Sequence, residues 1–331
     1  MTLRPFGKTA LSVSPLGLGM AALGRPGYIN LGHAGDLKRD YDPGAMEAHA
    51  HAVLDEAWAL GIRYYDAARS YGEGERFLGN WLRRRDISPD KVVAGSKWGY
   101  TYTADWQVQA EQHEVKDHTL PTLQRQWSES QSALGGYLRL YQIHSATFDS
   151  GVLENSAVLH ELARLKRDGL LIGLSLSGAD QGEVLRKALT VEIDGVRLFD
   201  SVQVTWNALE TAATDALKDA YQAGMGIIVK EALANGRLTT RNTDPAFVRK
   251  MAVLQRQAKR LNTSIDALAL AFVLAQPWAA VVLSGAATLD QLRSNVQAVE
   301  VHLDEEAHAQ LASLAEPAAD YWNTRKRLAW N

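Results

Sequence analysis

The sequence predicts a closed (β/α)8 barrel, a single α/β domain over residues 1–331. Three observations carry that expectation. Eight short apolar runs alternate with stretches of helical periodicity, as parallel crossover units do, and the count of eight favours closure over an open sheet. No stretch in the middle of the chain has the composition of a linker. Polar residues able to do chemistry fall where several of the runs end, and barrels of this kind carry their sites at the C-terminal ends of the strands.

Leu3 to Ser14 can form a hairpin around Gly7 and Lys8, and Leu16 to Met20 reads as the first buried strand. Helix Met46 to Leu60 follows, with Val53, Ala57 and Leu60 on one face and Gly61 as its stop. Ile62 to Tyr65 is the second strand. A helix then begins near Glu73, because Phe77, Leu78, Trp81 and Leu82 make one apolar stripe. The third strand lies near Val92 to Ser96 and the fourth near Leu138 to Ile143. A helix through Leu159, Leu162 and Leu165 stops at Asp168-Gly169 and leads into the fifth strand, LLIGLSLSG. SVQVTWN is the sixth. GMGIIVKEAL is the seventh, preceded by a helical pattern over Ala216 to Gln222. Ile265 to Leu274 is an apolar helix, and AAVVLSGA from Ala279 is the eighth strand. Long polar loops, Gly24 to Gly44 and Tyr100 to Leu120, follow strands one and three and should overhang the barrel mouth.

Composition sets bounds on function. Hydrophobic residues at 46% and charged residues at 22% suit a water-facing globular protein with a sizeable core. A formal charge of −3 gives no global attraction to nucleic acid or to an anionic membrane. No run approaches the length of a transmembrane helix. The opening residues, MTLRPFGKTALSVSP, lack a long apolar core, so a cytoplasmic location is expected. The absence of cysteine excludes thiol nucleophiles, disulfides and cysteine metal sites.

Chemistry is expected around Gly61 to Gly79, GIRYYDAARSYGEGERFLG. Asp66 stands where the second strand ends, and Tyr71 follows on a Ser/Gly turn. A carboxylate there is costly to bury unpaired, which implies a cation, and Lys97 ends the third run. His144 ends the fourth. A loose GxGxxA pattern at Gly17 to Ala22 is interrupted by Gly24, Arg25, Pro26 and Gly27 and carries no weight as a dinucleotide fingerprint. His49 and His51 lie two apart on a helix and do not face each other, so no metal is expected.

In these contexts Asp66, Tyr71, Lys97 and His144 closely resemble the catalytic tetrad of the aldo-keto reductases. The resemblance runs from PLGLGM at Pro15 to LSGAATLDQLRSNV ending at Val296. It implies NAD(P)-dependent reduction of an aldehyde or ketone, or oxidation of the corresponding alcohol or sugar hydroxyl. In such chemistry Tyr71 would give the proton and Lys97 would lower its pKa, ordinarily about 10. Asp66 would hold Lys97, and His144 would orient the substrate oxygen.

For the cofactor, the resemblance assigns Ser175 and Gln203 to the carboxamide and Trp206 to stacking on the nicotinamide, although Leu176 replaces a usual asparagine. Lys230 to Leu233, KEAL, stands at the pyrophosphate in place of a more usual segment, with Arg237 as a source of compensating charge for Glu231. Ser284, Gly285, Gln291 and Asn295 match the adenosine segment at a helix N-terminus. Ala287 replaces an arginine that often grips the 2'-phosphate of NADP, and Arg293 stands one helical turn on, which leaves NAD and NADP both open. Tyr28, Trp98 and Tyr102 are candidate pocket walls, and the tail DYWNTRKRLAWN could cover the site or a subunit contact. Two other roles use the same barrel: a Schiff-base lyase or aldolase acting through Lys97 or Lys230, and a cofactor-sensing regulatory subunit like those of potassium channels.

Overall fold

The computed structural model describes all 331 residues. Eight parallel strands close into a barrel in chain order: Leu16–Gly19, Tyr64–Asp66, Val93–Trp98, Leu138–Ala146, Leu171–Leu176, Ser201–Thr205, Gly226–Lys230 and Val281–Ser284. The first pairs with the eighth through Leu18 and Ser284, and the fifth with the sixth through Ser175 and Gln203. Strands of Val, Ile and Leu buried on both faces are what a parallel barrel requires. The N-terminal hairpin pairs Arg4–Pro5 with Ser12–Val13. Phe6 from it packs against Tyr64, Leu140, Ile228 and Val281 in a small apolar cluster.

Helices surround the barrel: Pro43–Ala59, Gly74–Arg84, Leu120–Leu134, Ser156–Arg167, Gln181–Leu189, Thr214–Gln222, Val248–Arg260, Ile265–Leu274 and Leu289–Val296. The first begins at Pro43, with Asp42 Oδ1 accepting from Ala45 N at 2.8 Å. It therefore starts a few residues before the expected Met46, because its cap and its Pro lie ahead of the apolar stripe. Strands three and four are longer than expected, ending at Trp98 and Ala146, so Lys97 and His144 lie within strands rather than just past them.

Two features cover the mouth. The loop after strand three folds into a ribbon pairing Tyr100–Tyr102 with Glu114–Lys116. At the other end of the chain, Glu305–Ala312 and Ala318–Lys326 are helical, and the segment after them runs back across the barrel to hydrogen-bond Tyr28 through Asn331. No helix is long and apolar enough to cross a membrane.

Candidate active site

One cavity of about 540 Å3 runs across the C-terminal mouth of the barrel. Asp66, Tyr71, His144 and Gln203 line one end; Ser284, Gly285, Gln291 and Asn295 line the other. Inward-facing positions alternate along each strand, so Asp66, Lys97 and Gln203 meet inside the barrel. Lys97 is fully buried, and its Nζ donates to Asp66 Oδ2 (2.5 Å), to the Ala67 carbonyl (2.9 Å) and to the Tyr71 hydroxyl (3.2 Å). An ammonium has three hydrogens, and all three are committed. Gln203 Nε2 donates to the other Asp66 oxygen at 2.8 Å. Asp66 is thereby buried with its charge paired, as its position demanded.

The Tyr71 oxygen accepts from Lys97, and its own hydrogen is spent on no protein acceptor while the residue lines the cavity. The His144 ring stands edge-on to Tyr71, with centroids 5.6 Å apart. His118 holds the His144 carbonyl at 2.9 Å. Burial drives the His144 pKa well below its ordinary value, and Lys97 and Lys230 add to the effect, so the imidazole is neutral. Tyr71 moves opposite to the expectation. Burial, and after it the Asp66 charge, raises its pKa well above 10, with only a partial offset from the Arg25 guanidinium.

Lys230 and Glu231, from the end of the seventh strand and the residue after it, line the same cavity. Lys230 Nζ donates to Thr205 Oγ1 at 2.7 Å, and burial lowers its pKa to about 8. Glu231 is buried in a bidentate pair with Arg325 from the C-terminal helix. Burial alone would raise its pKa, but Arg325 and Lys230 outweigh it and hold the carboxyl at about 2. Leu233, Asn235, Gly236 and Arg241 complete this wall, and Asn235 Oδ1 is buried with no partner in the protein. At the far end Ser284 Oγ and the Asn295 amide lie 2.9 Å apart, and Gln291 Oε1 accepts from Ala287 N.

Four expected site residues are placed elsewhere. Trp206 does not line the cavity; it stacks on Phe272 at 5.4 Å and donates to Thr214. Trp98 is fully buried against His118, outside the cavity. Both follow from strand parity, since Gln203, Thr205 and Lys97 face inward and the next odd step turns each tryptophan outward. Arg237 is committed to Glu316 at 2.7 Å and lies over Tyr321. Ser175 is buried beneath the cavity, where its Oγ accepts from Ser145 N and supports that residue at φ 54°. Tyr28 does line the cavity. His49 and His51 bond to the carbonyls of Ala287 and Phe77 on different elements.

Sequence reasoning missed Arg25, Glu114, Arg325 and Trp330 as lining residues. The basic and aromatic tail was the only signal for the last two. Arg25 reads only as part of a Gly/Pro loop that interrupts a motif, and Glu114 lies in a polar loop, so neither is marked as a lining residue.

The residues fit a dinucleotide: one cavity is lined by Asp66, Tyr71 and His144, by Asp290 and Gln291 in the first turn of a helix, by Lys230 and Arg325, and by Asn235 with its unpartnered amide oxygen. The chain resembles an aldo-keto reductase from Bacillus halodurans in its holo form, with a TM-score of 0.74 at 24% identity over 96% of this chain and 97% of that one. It is 26% identical to pyridoxal 4-dehydrogenase of Microbacterium luteolum, covering 94% of this chain and 96% of that one. It is 24% identical to L-galactose dehydrogenase of Arabidopsis thaliana, over 99% and 96% respectively. The profile of the Aldo/keto reductase family matches residues 15–316, nearly the whole barrel and its site, and the chain belongs to that family.

Proposed function

We propose that Tyr71 is the proton donor, and in the reverse direction the acceptor, in the nicotinamide-dependent oxidoreduction of carbonyls and alcohols that this family carries out. The observation that carries the reading is the 3.2 Å contact in which Lys97 donates to the Tyr71 oxygen while Asp66 and Ala67 hold Lys97 in place. A bound nicotinamide supplies or accepts the hydride. Tyr71 then delivers its hydroxyl proton to the developing alkoxide, and Lys97 stabilises the phenolate left behind. Neutral His144 orients the substrate oxygen without competing for the proton. Lys97 has no free hydrogen or lone pair, which speaks against its use as an imine-forming nucleophile.

The finer proposal is that NAD is preferred to NADP. Asp266 and Asp290 line the adenosine end, Ala287 brings no charge, and Arg293 is turned away to Glu56 at 2.7 Å. A 2'-phosphate there would face carboxylates with no cation to meet it. Titration with NADH and NADPH, followed by tryptophan fluorescence, should show NADH binding at least about tenfold tighter. Equal or tighter NADPH binding would reject the preference, and no response to either would count against the enzyme reading.

A further inference from the structure

His144 stands at a break in its strand. The fourth strand pairs with the third as far as Ile143 opposite Trp98, and its register with the fifth passes from Ile143 to Ala146. His144 and Ser145 therefore have no ladder partner on either side. Ser145 is at φ 54°, left-handed backbone that a non-glycine residue keeps only where its surroundings hold it. Two side chains supply the bonds that the ladder omits: Ser175 Oγ accepts from Ser145 N at 2.8 Å, and His118 Nε2 donates to the His144 carbonyl at 2.9 Å. A carbonyl only accepts, so Nε2 carries the His118 hydrogen.

His118 is built into this place. It is 8% exposed, stays outside the cavity lining, and stands edge-on to Trp98 at 5.5 Å. Gly99, at φ 108°, makes the room, since a Cβ there would fall 2.2 Å from His118 Cδ2. Asp117 N donates to the Gly99 carbonyl at 2.9 Å and Lys116 Nζ to Thr147 Oγ1 at 3.1 Å, which fastens the stretch carrying His118 to the ends of strands three and four. The His144 ring itself has looser neighbours: Tyr71 and Tyr100 edge-on at 5.6 and 5.0 Å, and Ser70 Oγ 3.5 Å from Nδ1.

We infer that His118 is a positioning residue for the proposed reaction, fixing the aim of the His144 imidazole through the His144 carbonyl; the inference rests on the Tyr71 reading. Without its donor that buried carbonyl is unsatisfied, and the two unpaired residues can turn to relieve it. Turning them swings the imidazole away from the Tyr71 hydroxyl and from the oxygen it orients. The groups facing the ring are the Lys97 and Lys230 ammoniums, the Arg25 guanidinium, His118, and the Tyr71 and Tyr100 phenols; burial, then those cations, keeps it neutral. A ring that reaches water regains an ordinary pKa of about 6.5.

His118→Phe keeps an aromatic ring and removes the donor, whereas His118→Gln keeps an N–H in its place. The proton NMR signal of His144 C2–H, assigned by its loss in His144→Asn, reads the aim of the ring without turnover. It should not titrate between about pH 5.5 and 8 in the native protein or in His118→Gln, and should titrate near pH 6.5 in His118→Phe. With 4-nitrobenzaldehyde and NADH, His118→Phe should lose at least about tenfold in kcat at native dinucleotide Kd, and His118→Gln should recover most of it. Equal losses in the two variants, or a His144 signal that stays silent in folded His118→Phe, would overturn the inference. If His118→Phe does not fold, the native protein decides: its His118 Nε2–H should resist exchange with water, and rapid exchange would reject the bond. No turnover of the aldehyde with either dinucleotide would count against the Tyr71 reading, and the NMR readings would still decide on His118.

Discussion

Tyr71 keeps two relations at once: its oxygen accepts from Lys97, and its hydroxyl donates to no protein acceptor beside the cavity it lines. Its pKa is raised, so the phenol stays protonated across the neutral range. Reduction uses that protonated form, so Tyr71 adds no limb to its pH profile from about 6 to 9, and a limb near pH 8 would report Lys230 instead. Oxidation uses the phenolate and should rise by about tenfold per pH unit over the same range, since one proton must leave first. His144, neutral throughout, adds no second limb. Initial rates in both directions check this; an oxidation rate that is flat or falls with pH would contradict it. At this scale the charged residues were legible because a carboxylate, an ammonium and an imidazole stand out at the ends of apolar runs. The aromatic residues were not. Trp206 and Trp98 have the right neighbours in sequence but the wrong strand parity, and only the paired register makes that visible.

The C-terminal helix, Ala318–Lys326, is the element that completes the cavity. Tyr321 is buried and accepts from Asn207, while Arg325 grips Glu231. Removing one partner of a buried pair leaves the other charge unmatched, so Arg325→Met should cost ~3 kcal/mol by denaturant unfolding. It should also weaken dinucleotide binding. Glu231 is held at about 2 against an ordinary value of 4.5, so the stability from its pair is fully present above about pH 4.5 and is lost as pH falls towards 2. The native protein should therefore lose more stability than Arg325→Met over that window, and identical acid profiles would rule out the coupling. The helix was not readable beforehand: nine residues with one fully buried side chain give no periodic stripe. Leu120–Leu134 escaped for a related reason, because Thr122, Gln126 and Ser130 share its buried face with Leu123 and Leu134.

Across the whole molecule the barrel was the most legible level, because eight apolar runs of strand length leave few ways to close a core. The extent of the site was less so. Its walls come from the loop after the first strand, the ribbon after the third and the last residues of the chain, which meet only once the barrel brings its C-terminal strand ends to one face. Arg25, Glu114 and Trp330 are some 305 residues apart at the extremes and share no local pattern. The function proposed for this cavity turns on proton transfer at one phenol, Tyr71. Tyr71→Phe tests it most directly, because it keeps the ring and removes the proton. Turnover should fall by about a thousandfold while dinucleotide Kd stays close to native. Near-native turnover, or loss of dinucleotide binding in step with activity, would contradict the role given to Tyr71.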